Sequence, residues 1–446
     1  MESIISIKKL NAKVADNLPS DYLPVKTNYN ECNWDIVAGH FISFAYGLAL
    51  QQYSKKEFEE DCRQVFMSQQ VSAEQFRVIH KAFFESENYL RLGPISLLLH
   101  TQNEDESKTQ VHNASKKVAM SLSTLLGPFK EELSEKRSEH FIGELIILTL
   151  KRKLANKPNE SSALTYLPYL QEKFLKDFSF MASKPSYMLE NIRAFLSIYS
   201  FLYTSQIALN LKEWSQGEPT NKPLYFVIDT EKVSLERTSV TERGWKSFAQ
   251  ASESLFPMLS TLQLIQSDIA RKPLWQIFSE LQELDIDQQQ ECIDAIDDYC
   301  ERFVRARNLR KKFSKSPSLE GAFEQLFDLT LAQFKKEYAD PSTTRYQANG
   351  KYVAAFKEHT AKAFVKAKGR VGNTLVLTQD HLLLLTSLII GDNKQLRFDE
   401  LIQEFKFRGI FFDDISEERL IEFYERIGNV ERMSDSGDDL YVRQTA

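Results

Sequence analysis

Asp229, Glu231 and Lys232 follow a short apolar run, Leu224-Tyr225-Phe226-Val227-Ile228. Carboxylates at a strand end can hold Mg²⁺, and a lysine beside them can steady the charge that develops on a phosphate. The triplet is therefore a candidate for metal-dependent phosphodiester cleavage. Its spacing departs from the usual acidic residue, any residue, then lysine, and one isolated strand supplies no sheet to carry it. A strand-to-loop turn in which Asp229 caps the next backbone segment is the plainer reading.

Positive charge is the second chemical feature. Net charge is −6 over the whole chain, yet residues 302–372 hold 16 Lys or Arg against 6 Asp or Glu, while residues 373–446 hold 8 against 15. Arg302, Arg305, Arg307, Arg310, Lys311, Lys312 and Lys315 come without an acidic residue from 302 to 315, and Lys357, Lys362, Lys366, Lys368 and Arg370 form a second cluster. Cations at this density can neutralise DNA phosphates, with salt-dependent binding as the consequence. The alternative is a solvated face, or one paired with the acidic ends of the same chain. Two like-charged clusters in an acidic protein favour a partner that uses them.

Other chemistry has little support. The chain lacks GxxxxGK[ST], a GxGxxG after a strand, HExxH and GxSxG, so no Walker ATPase, dinucleotide-binding, zincin or α/β-hydrolase motif is present. An ATP motor would have to be another chain. His40, His80, His100, His112, His140, His359 and His381 are scattered singly and read as helix-face or core residues. Cys32, Cys62, Cys292 and Cys300 show no zinc spacing; Cys292 and Cys300 lie eight apart, on one face of an expected helix. No cofactor or metal is expected, nor a catalytic role.

These residues must be carried by helices. Gly and Pro number 15 and 13 among 446 residues, whereas Phe alone numbers 31. So few turn-makers point away from sandwiches, propellers and glycine-cradled nucleotide folds, and towards a mainly α fold of multi-helix bundles. Helical patterning covers 61–84, 111–126, 133–154, 187–214, 245–270, 273–284 and 288–313, with the strand 224–228 as the exception. Three domains are expected: residues 1–215, 216–372 with the basic segment 302–372, and 373–446. Residues 194–211 carry too many polar side chains for a membrane span, and the first residues lack the basic region and apolar core of a secretory leader, so the cytoplasm is the expected compartment.

The last domain reads as three helices, Thr378–Ile390, Arg397–Phe407 and Ser416–Ile427, with Thr378 and Ser416 as caps. A hairpin of Asn429–Met433 and Leu440–Gln444 follows, and this is the order of a winged helix-turn-helix. Leu420, Ile421, Tyr424 and Ile427 would face the core, leaving Glu417, Glu418, Arg419, Glu422, Glu425 and Arg426 outward. A base-reading helix needs donors aimed into an anionic groove, so Glu417, Glu418, Glu422 and Glu425 point to protein docking instead. Arg432 and Arg443 could touch a DNA backbone, against Asp435, Asp438 and Asp439 at the hairpin tip.

Three stretches resemble the DptG family of bacterial DNA phosphorothioation-dependent restriction systems. They are Leu224 to Ser234 running on to Arg243-Gly244-Trp245-Lys246, then Leu377 to Thr386, and Val430 to Asp438 with Tyr441-Val442-Arg443. The resemblance implies a defence subunit, without a catalytic motif of its own, that works beside ATPase and helicase-like components against DNA lacking backbone sulfur. Combined with the charge pattern, it points to a non-catalytic adaptor. Arg302, Arg305, Arg307, Arg310, Lys311, Lys312, Lys315, Lys362, Lys366, Lys368 and Arg370 would contact DNA, and the acidic third helix would dock partners. A metal-dependent nuclease using Asp229 and Glu231, or a scaffold without DNA contact, are the alternatives.

Overall fold

A computed structural model describes residues 14, 16–18, 20–25, 32–51, 53–102, 109–127, 129, 133, 141–157, 163–266, 271–432 and 440–444. The chain is mainly helical, with short strands, and forms two compact units. One comprises residues 30–161 and 174–199, and the other residues 1–29, 162–173 and 200–446. The boundaries expected at 215/216 and 372/373 do not separate these units, since residues 216–446 all belong to one of them. Strand pairing across 372/373, described below, joins the expected second and third domains.

In the first of these units, α1 (Trp34–Tyr46) is capped by Asn33, whose side chain accepts from the Asp35 and Ile36 amides. It is followed by β1 (Leu48–Leu50), α2 (Lys55–Ser68), α3 (Ala73–Ile79), α4 (Thr109–Ser123), α5 (Phe141–Lys151) and β2 (Leu154–Asn156). β1 and β2 pair antiparallel. The pattern over 61–84, which fits a helix or a helix pair, is a pair: the first helix ends at Ser68, Gln70 adopts φ 62° and Ser72 opens a new capping box. α6 (Pro168–Ala182) and α7 (Pro185–Asn210) add Phe174, Phe178, Phe195 and Tyr199, which pack ring against ring with Phe41. The Tyr199 hydroxyl donates to the buried Asp177 carboxylate at 2.5 Å. Among the described residues no helix is long and apolar enough to cross a membrane.

The histidines of this unit correct the sequence reading. His40 on α1 and His112 on α4 are not single: their Nε2 atoms lie 3.1 Å apart, rings at 78°, where the two helices pack. Burial depresses the His112 pKa, with Lys116 adding to the effect. No spacing rule brings together residues 72 apart.

The second unit continues with β3 (Leu224–Tyr225), β4 (Val227–Ile228), α8 (Thr238–Arg243), α9 (Trp245–Ala251), α10 (Leu255–Ile265), α11 (Leu274–Gln282), α12 (Ile286–Ala306), α13 (Leu319–Ala332) and α14 (Thr344–Phe356). It closes with β5 (Val365–Ala367), β6 (Asn373–Leu377), α15 (Gln379–Ile390), β7 (Gln395–Arg397), α16 (Phe398–Phe407), β8 (Ile410–Phe411), α17 (Asp414–Arg426), β9 (Val430–Arg432) and β10 (Leu440–Arg443). Cys292 and Cys300 are both buried on α12, as small apolar residues are.

The run 224–228 is not an isolated strand. β3 pairs parallel with β8, and one residue later β4 pairs parallel with β6 in a sheet of order β4-β6-β5. The Phe226 amide donates to Phe411 O at 2.9 Å and the Asp229 amide to Leu377 O at 3.0 Å. Sequence alone missed this because two-residue strands 149 and 186 positions from their partners leave no local period to read. Leu224, Phe226, Val227 and Ile228 are all buried, which is why the run is continuously apolar.

Around the chain end the expected elements form, with adjustments. Thr378 caps α15 through a capping box with His381. The α17 cap is Asp413 rather than Ser416: the Asp413 carboxylate accepts from the Ser416 amide at 3.1 Å, and Ser416 lies inside the helix, buried. β9 and β10 form the hairpin, and β7, which the sequence reading passed over, completes a sheet of order β7-β10-β9. The hairpin tip, residues 433–439, with Asp435, Asp438 and Asp439, lies outside the described residues.

Candidate nucleic-acid interface

The basic run 302–315 straddles a helix end. The expected helix to 313 stops at Ala306, because Asn308 takes φ 49° and the Leu309 amide turns back to Val304 O at 3.0 Å. Arg302 and Arg305 lie within α12, and Arg307 to Lys315 do not share a helix face with them.

Most of these cations have partners in the chain. Arg302 Nε donates to Asp298 at 2.9 Å and Arg305 pairs with Glu301, each one helical turn earlier. The acid-free window starts at 302, one residue after Glu301 and four after Asp298, and so excludes both partners. Lys311 pairs with Asp328 and lies 4.9 Å from the Tyr338 ring. Arg310 is exposed but spends its guanidinium on Lys336 O at 2.6 Å and Ala339 O at 3.1 Å.

Arg307 departs furthest from expectation. It is 5% exposed, stacked 4.2 Å from the Phe303 ring, and donates to Val14 O at 2.9 Å, Asp16 O at 2.8 Å, Asn17 Oδ1 at 2.6 Å and Gln333 Oε1. Burial lowers its pKa to about 10. A guanidinium enclosed by neutral oxygens is a structural clasp and is not available to a phosphate.

What remains exposed is a smaller patch. Lys312 and Lys315 are exposed and form no ion pair with a described residue, although the field of Lys315 reaches Asp297. The two carbonyl contacts of Arg310 hold the 335–339 turn beside it, which brings in Lys335 and Lys336, both exposed. Sequence reading left those two lysines out of the site. The signal available to it was their place inside the same basic segment, 20 residues on.

The second cluster surrounds the strand corner. Lys362 pairs with Glu358, and Lys366 pairs with Asp229 at 2.6 Å. Lys368 Nζ donates to Asp229 O and, at 3.0 Å, to Glu231 O. Arg370 is exposed at the tip of the β5–β6 hairpin, between Gly369 at φ 58° and Gly372 at φ 78°.

Asp229 and Glu231 do not converge. Glu231 is buried and accepts from the Ile228 amide at 2.6 Å, from Ser416 Oγ at 3.0 Å and from Arg237 at 2.9 Å. Arg237, also buried, holds Asp413 through two nitrogens at 2.8 and 2.5 Å. Burial raises the Asp413 pKa, but hydrogen bonds from Arg237 and the Ser416 amide outweigh it and leave the carboxyl below its usual range. Glu231 thus serves a buried network that ties the strand corner to the α17 cap, while the Asp229 carboxylate meets Lys366 instead of capping the turn. Among the described residues no group of three or more His, Cys, Asp or Glu could hold a metal ion.

On α17, Leu420, Phe423 and Tyr424 are buried and Ile421 is half-buried. Ile427, expected inside, is 37% exposed, because the helix ends at Arg426. Glu418, Glu422 and Glu425 are exposed, with Arg419 paired to Glu422 at 2.5 Å. Glu417 is half-buried, its pKa raised by desolvation despite Lys406 at 3.7 Å. Arg443 faces Glu431 at 2.6 Å, which leaves that cation matched within the hairpin.

A scan against protein-family models finds no match, and a search of curated proteins finds none at significance.

Proposed function

We propose that the chain is a non-catalytic adaptor of a DNA phosphorothioation-dependent restriction complex, contacting the DNA backbone and docking ATPase and helicase-like subunits. The observation that carries the DNA contact is the patch of Arg310, Lys312, Lys315, Lys335 and Lys336, drawn from two segments that Arg310 holds together. Point cations on a surface suit phosphate contact, which needs charge and little shape.

The C-terminal elements support a winged-helix reading: helix, strand, helix, a short strand β8 that pairs with β3, helix and hairpin, with sheet order β7-β10-β9. Its third helix, α17, presents glutamates where a DNA reader presents donors, which favours docking. Recruitment of motor subunits is taken from the family resemblance.

The test is binding of unmodified duplex DNA by the purified chain across about 50 to 300 mM salt. Binding that weakens steeply with salt is the expected result. Failure to retard DNA at about 50 mM, where backbone contacts are strong, overturns the DNA half of the reading.

A further inference from the structure

Beside the strand corner, a groove of about 670 Å³ runs between loop 231–236 and the tip of the β5–β6 hairpin. Its floor is aliphatic. Leu235, 63% exposed, and the half-buried Val371 both line it. Val233 beside it is anchored on a core of Val227, Val240 and Val376. Lys232, Lys368 and Arg370 give the rim three cations, against the exposed Glu236 and the buried Glu231, the latter already neutralised by Arg237. Lys368 is fixed by carbonyl oxygens, and neither Lys232 nor Arg370 forms an ion pair with a described residue.

We propose that this groove docks an acidic peptide segment of a partner protein, with an aliphatic side chain seated on Leu235 and Val371 and carboxylates on Lys232 and Arg370. The inference rests on the docking half of the reading above and gives that half a second surface, basic where α17 is acidic. Charge complementarity selects the occupant's sign. The floor selects its class: a nucleic-acid strand gains most from aromatic faces on which bases stack, and no aromatic side chain lines this groove. β5 is also the edge strand of its sheet, so main-chain pairing with an extended peptide is open.

The probe is a fluorescein-labelled decapeptide of alternating aspartate and leucine, titrated with the full chain in a polarisation assay. Aspartate–serine and lysine–leucine decapeptides are the controls for charge and apolar anchor. Saturable binding of the first probe is expected, at least tenfold tighter than either control and reduced at least tenfold by Leu235→Ser and by Arg370→Glu. Both side chains are exposed, so neither substitution disturbs the core. Lys312→Ala with Lys315→Ala should leave peptide binding unchanged while weakening DNA binding, which separates failure of this proposal from failure of the DNA reading. No binding, equal binding of the controls, insensitivity to Leu235→Ser, or displacement by a single-stranded oligonucleotide overturns it.

Discussion

Replacing Lys312, Lys315, Lys335 and Lys336 together by alanine removes four exposed cations from the patch and leaves Arg310 with its carbonyl partners. Each phosphate neutralised contributes a slope of about −0.9 to log K against log salt, so five contacts give a slope of about −4.5 and a loss of roughly 500-fold between about 50 and 200 mM. The quadruple variant should fall to a slope of about −1 and lose only about fourfold over the same range. Arg307→Ala is the opposing control. Its guanidinium is enclosed by Val14, Asp16, Asn17 and Gln333, so its loss should lower the melting temperature and leave the slope unchanged. Filter binding or polarisation with a duplex of fixed length, at four salt concentrations, measures both. A slope unchanged in the quadruple variant, or one reduced by about a unit in Arg307→Ala, would refute the assignment of contact to the exposed patch.

Three further outcomes follow from the same geometry. Arg237→Ala strands the carboxylates of Glu231 and Asp413 and should cost about 3–5 kcal/mol in urea unfolding, whereas a surface pair such as Lys246–Glu242 should cost less than about 1 kcal/mol. Gly409 sits at φ 82° with the Gln206 side-chain amide against it, so Gly409→Ala should destabilise by at least about 1–2 kcal/mol. His100, His112 and His381 are all held below the ordinary imidazole range by burial, and His381 Nδ1 faces the Thr378 amide as an acceptor. Their depressed folded pKa values mean that the unfolded chain binds protons first. The stability they contribute is therefore full above about pH 6.5 and drains as pH falls through the folded values, and His381→Gln should flatten the melting curve's dependence below that pH.

Local features were legible in the sequence and long-range ones were not. Thr378 and the α15 helix follow from capping chemistry and period within a few residues, and the mainly helical class follows from the scarcity of Gly and Pro. The buried fate of Arg307 depends on oxygens at positions 14–17 and 333, and the role of Glu231 depends on Arg237, Asp413 and Ser416. Nothing within a helical turn of either residue distinguishes it from an exposed neighbour of the same type. The end of α12 is a middle case: Asn308 is a residue that accepts the left-handed conformation, a cue outvoted by the cations that extend the helical pattern to Phe313.

The distribution of ion pairs bears on whether the basic segment is merely neutralised by the acidic chain end. The carboxylates found for Arg302, Arg305, Lys311, Lys362 and Lys366 belong to Asp298, Glu301, Asp328, Glu358 and Asp229, none of them from residues 373–446. Three of these five pairs lie one helical turn apart, and of them Arg305–Glu301 and Lys362–Glu358 are exposed pairs of the kind worth less than about 1 kcal/mol. A phosphate can compete for such cations at little cost, while the acid left behind still opposes it. The acidic surface of α17 is meanwhile fixed to the strand corner through Arg237, and the strand corner to Lys366 and Lys368. Among the described residues the basic segment and α17 form no ion pair with each other, as the proposed role of meeting two partners of opposite sign requires.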